Sequence, residues 1–281
     1  MRISGSIFFI LTTLAGALPA NAQSFSMQPP PEDPVVEPQI IGGRLARRAN
    51  WPATFIFKDP EIPRPNKEVC TSTAVGKRVI LTAAHCVRNG AKGEIGSGGQ
   101  NLSITCSHHP DYTPQGTHAT LTTSADWALC LAAGDIKVVE YETINRNSAA
   151  IKKAQELLLT GFGCNKVGGT DGGFGQLFEG EASVTDLPSK NDPERWKINY
   201  ITTSGGAAVC FGDSGGATYL FLDAAKRSRA LVGVNSRGDI EKVSYISSSS
   251  TDSFLSWARN WASTNGVLIC GLHDDAPSCH P

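Results

Sequence analysis

From Ile40 onward the chain is cut into short runs of apolar and β-branched residues, each flanked by Gly, Pro, Asn or Ser. Such runs stand at 53–58, 70–75, 79–82, 157–161, 198–202, 219–222 and 230–234. Each is too short for an ordinary helix, and no helical period separates one from the next, so the pattern confines the fold to an antiparallel sandwich or barrel. One segment, 251–264, is different. Phe254, Leu255, Ala258 and Trp261 recur there at three-to-four spacing behind Thr251 or Asp252 as a cap, which predicts a single helix packed on the outside of a barrel.

The residues before Ile40 have another character. Met1-Arg2 is a basic start, residues 7–18 are an apolar run too short to span a bilayer, and Ala20-Asn21-Ala22 is a small-x-small cleavage signature. Residues 1–22 therefore read as a signal peptide, and no later run is long and apolar enough for a membrane span. Residues 23–39 carry five prolines and three acids (Glu32, Asp33, Glu37) and no base. Such a stretch has little to pack with and reads as an extended linker or pro-segment. Setting aside Arg2 and these three acids leaves 24 bases and 23 acids in the remainder. A near-neutral chain with 40% hydrophobic residues is neither disordered nor a nucleic-acid binder by bulk charge. All eight cysteines follow Gln39, an even count that points to an oxidising compartment while leaving the pairing open.

Three short segments carry chemistry. In Gly212-Asp213-Ser214-Gly215-Gly216 a serine sits in a glycine frame that permits a sharp turn and close approach of a substrate, and the N–H groups of Gly212 and Ser214 are able to aim at one point. In Leu81-Thr82-Ala83-Ala84-His85-Cys86 an apolar strand ends by presenting an imidazole, the side chain suited to proton transfer near neutrality. In Ser124-Ala125-Asp126-Trp127-Ala128-Leu129 a carboxylate stands in an apolar stretch, where burial requires a partner. Each alone is ordinary: a turn, a surface His, a strand-capping Asp. Together they are the nucleophile, base and orienting acid that activation of a hydroxyl needs.

On these residues the sequence resembles the trypsin/chymotrypsin family of secreted serine proteases, from Ile40 to about Trp257. The resemblance implies two antiparallel six-stranded β-barrels with a C-terminal helix. Their expected bounds are about 40–145, 146–250 and 251–264, with a tail over 265–281. It implies a peptide hydrolase in which Ser214 attacks, His85 transfers the proton and Asp126 orients His85, with the oxyanion held by Gly212 and Ser214. Ile40-Ile41-Gly42-Gly43 is similar to the segment whose freed N-terminus pairs with the acid before the nucleophile, here Asp213. The family bridges the positions of Cys70 and Cys86. The strands of Cys106 and Cys130 are neighbours in it, Cys164 then falls to Cys210, and Cys270 to Cys279. No cofactor and no metal are implied. The expected partners are a protein or peptide substrate and protein inhibitors, with no nucleic acid and no membrane, for a secreted monomer. The alternative is a protease-like binding or decoy protein without turnover.

Several positions depart from the family pattern. The base of the specificity pocket falls on Ala208, followed by Val209, so a preference for Lys or Arg loses its carboxylate and a small or apolar side chain is expected. Ser236 and Gly238 match the strand lining that pocket, but Arg237 replaces an aromatic and reads as a solvated charge. Gln39 stands before Ile40 in place of a base, so trypsin-like activation is not expected, and Ala217 replaces a proline. Glu94 is the sole acid between Cys86 and Cys106, too few for a calcium loop, and His108, His109 and Asp111 read as a polar loop without zinc spacing. Asn101-Leu102-Ser103 is a glycosylation sequon.

Overall fold

The computed structural model describes residues 24–30, 40–59, 69–113, 124–169, 174–226, 228–276 and 278–280. Residues 1–22, read as a signal peptide, and Gln39 lie outside them. The strands are β1 (Ser24–Gln28), β2 (Arg44–Leu45), β3 (Thr54–Lys58), β4 (Val69–Gly76), β5 (Val79–Thr82), β6 (Lys92–Ser97) and β7 (Gln100–His108). There follow β8 (Ala128–Ala132), β9 (Glu156–Gly161), β10 (Phe178–Asp186), β11 (Tyr200–Ser204), β12 (Ala217–Phe221), β13 (Arg229–Gly238) and β14 (Ser244–Ser248), then the helix α1 (Asp252–Asn265).

They form two closed barrels. The first runs β1-β3-β4-β5-β8-β7-β6. The second runs β11-β14-β13-β12-β9-β10 and closes through β10–β11, with β2 added beside β10. The second has the six strands expected, but the first has seven. The extra strand comes from the proline-rich leader, which corrects the expectation that 23–39 has little to pack with. In β1 the alternate residues Phe25 and Met27 are buried, as a half-buried strand requires.

The same two-residue period divides the core of the second barrel from the seam. Leu157 and Leu159 on β9, Leu220 on β12 and Val232 on β13 face the interior of the second barrel. Their neighbours Leu158, Tyr219 and Leu231 face the first barrel and join its core. α1 starts where the Thr251 hydroxyl accepts from the Phe254 N–H and stops at Gly266 in the left-handed conformation. Its inner face is Phe254, Leu255, Ala258 and Ala262, with Phe254 edge-on to Trp127 of the first barrel. His109, expected in a polar loop, is instead buried between Trp127 and Trp257, both rings 5.1 Å away.

A buried ion pair crosses the seam. Arg229, on β13, donates through Nη2 and Nε to both oxygens of Glu142 in the inter-barrel connection, at 2.6 and 3.1 Å. Its guanidinium lies 4.1 Å over the Trp51 ring, and Trp51 donates from Nε1 to Glu179 on β10 at 2.7 Å. Neither charge has enough water to survive the loss of the other. Arg229→Met alone is therefore expected to lower stability by about 3–5 kcal/mol, while Arg229→Met with Glu142→Leu recovers most of that, as read by urea unfolding of the three proteins.

Candidate active site

β5 is buried throughout and ends at Thr82; after Ala83 a 3-10 turn, Ala84–Cys86, lifts His85 out of the core. The turn is fixed by a disulfide from Cys86 to Cys70 on β4. Asp126 precedes β8 beside Trp127, whose Nε1 donates to the Ser247 carbonyl at 3.0 Å. Asp126 is wholly buried, so its oxygens must find donors. One oxygen accepts from the backbone N–H of His85 at 2.9 Å; the other lies 2.6 Å from His85 Nδ1 and accepts from the Ser236 hydroxyl at 2.5 Å.

Burial by itself would raise the Asp126 carboxyl, but His85, Ser236 and Arg237 outweigh it and hold the group well below the usual carboxylate range. An ionised carboxylate only accepts, so the hydrogen in the short contact belongs to Nδ1 and the lone pair of the neutral ring is on Nε2. The orientation of Ser236 is equally determined. Its oxygen lies 3.1 Å from the Tyr200 hydroxyl and 3.3 Å from Arg237 Nε. Burial raises the Tyr200 hydroxyl beyond its ordinary range, so it keeps its proton. With Tyr200 and Arg237 both donating, the two lone pairs of Ser236 are filled and its single hydrogen is left for Asp126.

This arrangement corrects one expectation. Arg237 is not a free surface charge: its guanidinium lies 5.4 Å from the Tyr200 ring centre and its Nε reaches Ser236. The Ser236 hydroxyl turns to Asp126. Of the other residues expected at the specificity pocket, Ala208 is buried and pairs its N–H with the Ile41 carbonyl at 3.0 Å. Val209 reaches toward Gly238, where an added Cβ would stand 3.0 Å from its Cγ2.

Ser214 lies in a loop held from both barrels. Thr71, on β4, donates its N–H to the Ser214 carbonyl at 2.7 Å and its hydroxyl to the Gly212 carbonyl at 3.0 Å. On the other side the Gly215 N–H donates to the Asn235 carbonyl of β13 at 2.8 Å. Gly215 abuts the end of β5: a Cβ there would stand 2.2 Å from the Thr82 hydroxyl and 3.1 Å from the nitrogen of Ala83, two residues before His85. Gly212 has a φ of +99°, which a side chain would oppose, and a Cβ would meet Gly163 at 2.7 Å. The peptide that this conformation turns leaves the Gly212 and Ser214 N–H groups without hydrogen-bond partners among the described residues.

Asp213 is the second fully buried carboxylate. The N–H groups of Gly163 and Cys210 donate to its two oxygens, each at 2.8 Å, and the Cys164–Cys210 disulfide links the segments that supply them. No cation pairs with it among the described residues. Burial pushes the carboxyl up to about 7, against the pull of the two N–H groups. Ile40 is buried against Phe178 and Ala207, and its nitrogen belongs to a peptide bond in the intact chain; no hydrogen bond joins it to Asp213.

The remaining disulfides join Cys106 to Cys130 across β7 and β8, and Cys270 to Cys279 in the tail. The one group of His, Cys, Asp or Glu at metal-ligand spacing among the described residues is Cys70, His85 and Cys86, and both sulfurs are already spent in a disulfide. Thr71, Tyr200 and Gly163 were not signalled by any motif, since each reaches the site only through the folded contact between distant strands.

A family model described as Trypsin matches residues 40–257, which covers all of both barrels except the added strand β1. No curated protein matches the chain. With most of its length under that model and a pair of closed barrels to carry it, the chain belongs to the trypsin family.

Proposed function

We propose that this chain is a secreted serine endopeptidase made as a zymogen and activated by cleavage before Ile40. The observation that carries the reading is the contact of a wholly buried, ionised Asp126 with His85 Nδ1, which leaves Nε2 as a base on the strand end that abuts the Ser214 loop. Nε2 takes the hydroxyl proton as Ser214 Oγ attacks the peptide carbonyl, and the imidazolium returns it to the leaving amine. Water then repeats the sequence to release the acyl group. The N–H groups of Gly212 and Ser214 receive the oxyanion in both tetrahedral states. The four disulfides fit an exported protein. Ala208 and Val209 offer no anion to a substrate cation, so the bond cleaved follows a small or apolar residue.

Activation follows from the state of Asp213. In the intact chain this carboxyl is buried with two neutral donors and holds its proton to about pH 7. Cleavage before Ile40 creates an ammonium, and pairing with it favours the ionised form and fixes the neighbouring Gly212 peptide.

Ser214→Ala is expected to lower kcat on the order of 10⁶-fold and to abolish fluorophosphonate labelling, with the circular dichroism of the parent. Labelling that persists in this variant would end the assignment, and a parent that starts at Ile40 yet neither labels nor cleaves a peptide library would be a binding protein. Ser236→Ala takes one donor from the buried Asp126 and is expected to cost about 1–3 kcal/mol of stability, with kcat falling more than KM rises.

The intact chain also carries a pH signature. Between about pH 4 and pH 7 folded Asp213 keeps a proton that the unfolded chain has released, so its contribution to stability falls as pH rises through this window, with a slope of up to about 1.4 kcal/mol per pH unit. In the Ser214→Ala background, the stability difference between intact chains with and without Asp213→Asn is expected to vary over that window and to be flat above it, measured by urea unfolding at a series of pH values.

A further inference from the structure

We propose that the leader is not discarded on activation: residues 24–28 stay in the first barrel as a separate, non-covalently held strand. The inference rests on the cut before Ile40 argued above and starts from the position of β1. It lies between β3, with which it pairs antiparallel in the register Met27 to Phe57, and β6, with which it pairs parallel in the register Phe25 to Gly93 and Met27 to Ile95. Among the described residues no other strand joins β3 to β6, so β1 is what closes this barrel. Without it both neighbours present open edges.

The slot is shaped for its occupant. Phe25 stacks on Phe57 with ring centres 4.9 Å apart, and Met27 is fully buried. On β6 the residue facing Phe25 is Gly93, where a Cβ would stand 2.4 Å from the Phe25 carbonyl oxygen and 2.6 Å from its ring. Any side chain at Gly93 would displace the strand, so the neighbouring wall is cut to the leader's own contour. Pro29 and Pro30 then end the pairing, because proline supplies no N–H to continue it.

This strand is foreign to the rest of the family unit, since the match begins at Ile40. Nothing covalent would keep it after cleavage. No cysteine precedes Cys70, and all eight are paired with one another. Retention therefore depends on two ladders of backbone hydrogen bonds and the burial of Phe25 and Met27, which is strand addition to a sheet edge supplied from the same polypeptide. The active enzyme would be a two-chain protein whose smaller chain does structural work.

The test uses the full secreted chain with Ser214→Ala and a recognition sequence for a site-specific protease inserted between Glu37 and Pro38. After complete cutting, native size exclusion followed by intact mass is expected to find the leader fragment co-eluting with the large fragment in a one-to-one ratio. The same protein carrying Phe25→Ser and Met27→Ser is expected to lose the fragment on cutting and to melt at a lower temperature than the cut parent. A leader that separates from the parent in native buffer overturns the proposal, as does a double variant that retains it equally well. The inactive background and added protease make this result independent of any activity of the chain. N-terminal sequencing of the natural secreted protein distinguishes the two readings. Starts at both Gln23 and Ile40 support the retained strand, and Ile40 alone refutes it. Gln23 alone refutes the activating cut and leaves the strand to be decided by the engineered one.

Discussion

A full negative charge enclosed at the seam of two barrels sets the terms for the rest of this molecule. Asp126 has no exposed surface, and an unpaired carboxylate in such surroundings costs several kcal/mol or more. Its donors come from both sides: the His85 backbone and ring from the first barrel, the Ser236 hydroxyl from the second. The barrels can dock only in the register that brings these three groups together. Hydrophobic packing across the seam is compatible with many small displacements; a carboxylate with three directional donors is not.

The two buried carboxylates of the site have the same degree of burial and opposite behaviour. Asp126 is held ionised by three donors with His85 and Arg237 nearby, while Asp213, with two neutral N–H groups, is pushed toward its protonated form. Burial penalises both, so what differs is the charge and hydrogen bonding brought to each by the fold. Asp126 is complete in the intact chain. Asp213 has its cradle built, by a disulfide that links the segments carrying both of its donors, and no cation pairs with it among the described residues.

What could be read from the sequence divides along physical lines. β5 is legible to the residue and β3, β4, β9 and α1 nearly so, because the strands are almost unbroken runs of buried apolar and β-branched residues and the helix repeats its apolar residues at helical spacing. β6 reads Lys-Gly-Glu-Ile-Gly-Ser and presents Ile95 as its one large apolar side chain, so its strand character comes from its neighbours. β1 was hidden by the prolines that follow it. Within the site, short motifs marked His85, Asp126 and Ser214. Ser236 meets Asp126 across 110 positions and Thr71 meets Gly212 across 141, and no local pattern encodes a contact of that span. Arg237 reads as a solvated charge for the same reason, since Tyr200 comes near it only once β11 and β13 flank β14 in the closed barrel.

Thr71 has a mechanical consequence. One residue of the first barrel grips the carbonyls on both sides of Asp213, while Asn235 of the second barrel grips the next N–H along. Its own carbonyl is held by the Thr82 hydroxyl at 2.8 Å and its hydroxyl accepts from the Phe162 N–H at 3.0 Å, so it has little play. The segment from Gly212 to Gly215 is therefore a coupler pinned to two bodies through the Gly212 and Ser214 carbonyls and the Gly215 N–H. If the barrels rock against each other, this loop cannot follow one and ignore the other; it must either resist the motion or carry it, whole, to the position of Ser214.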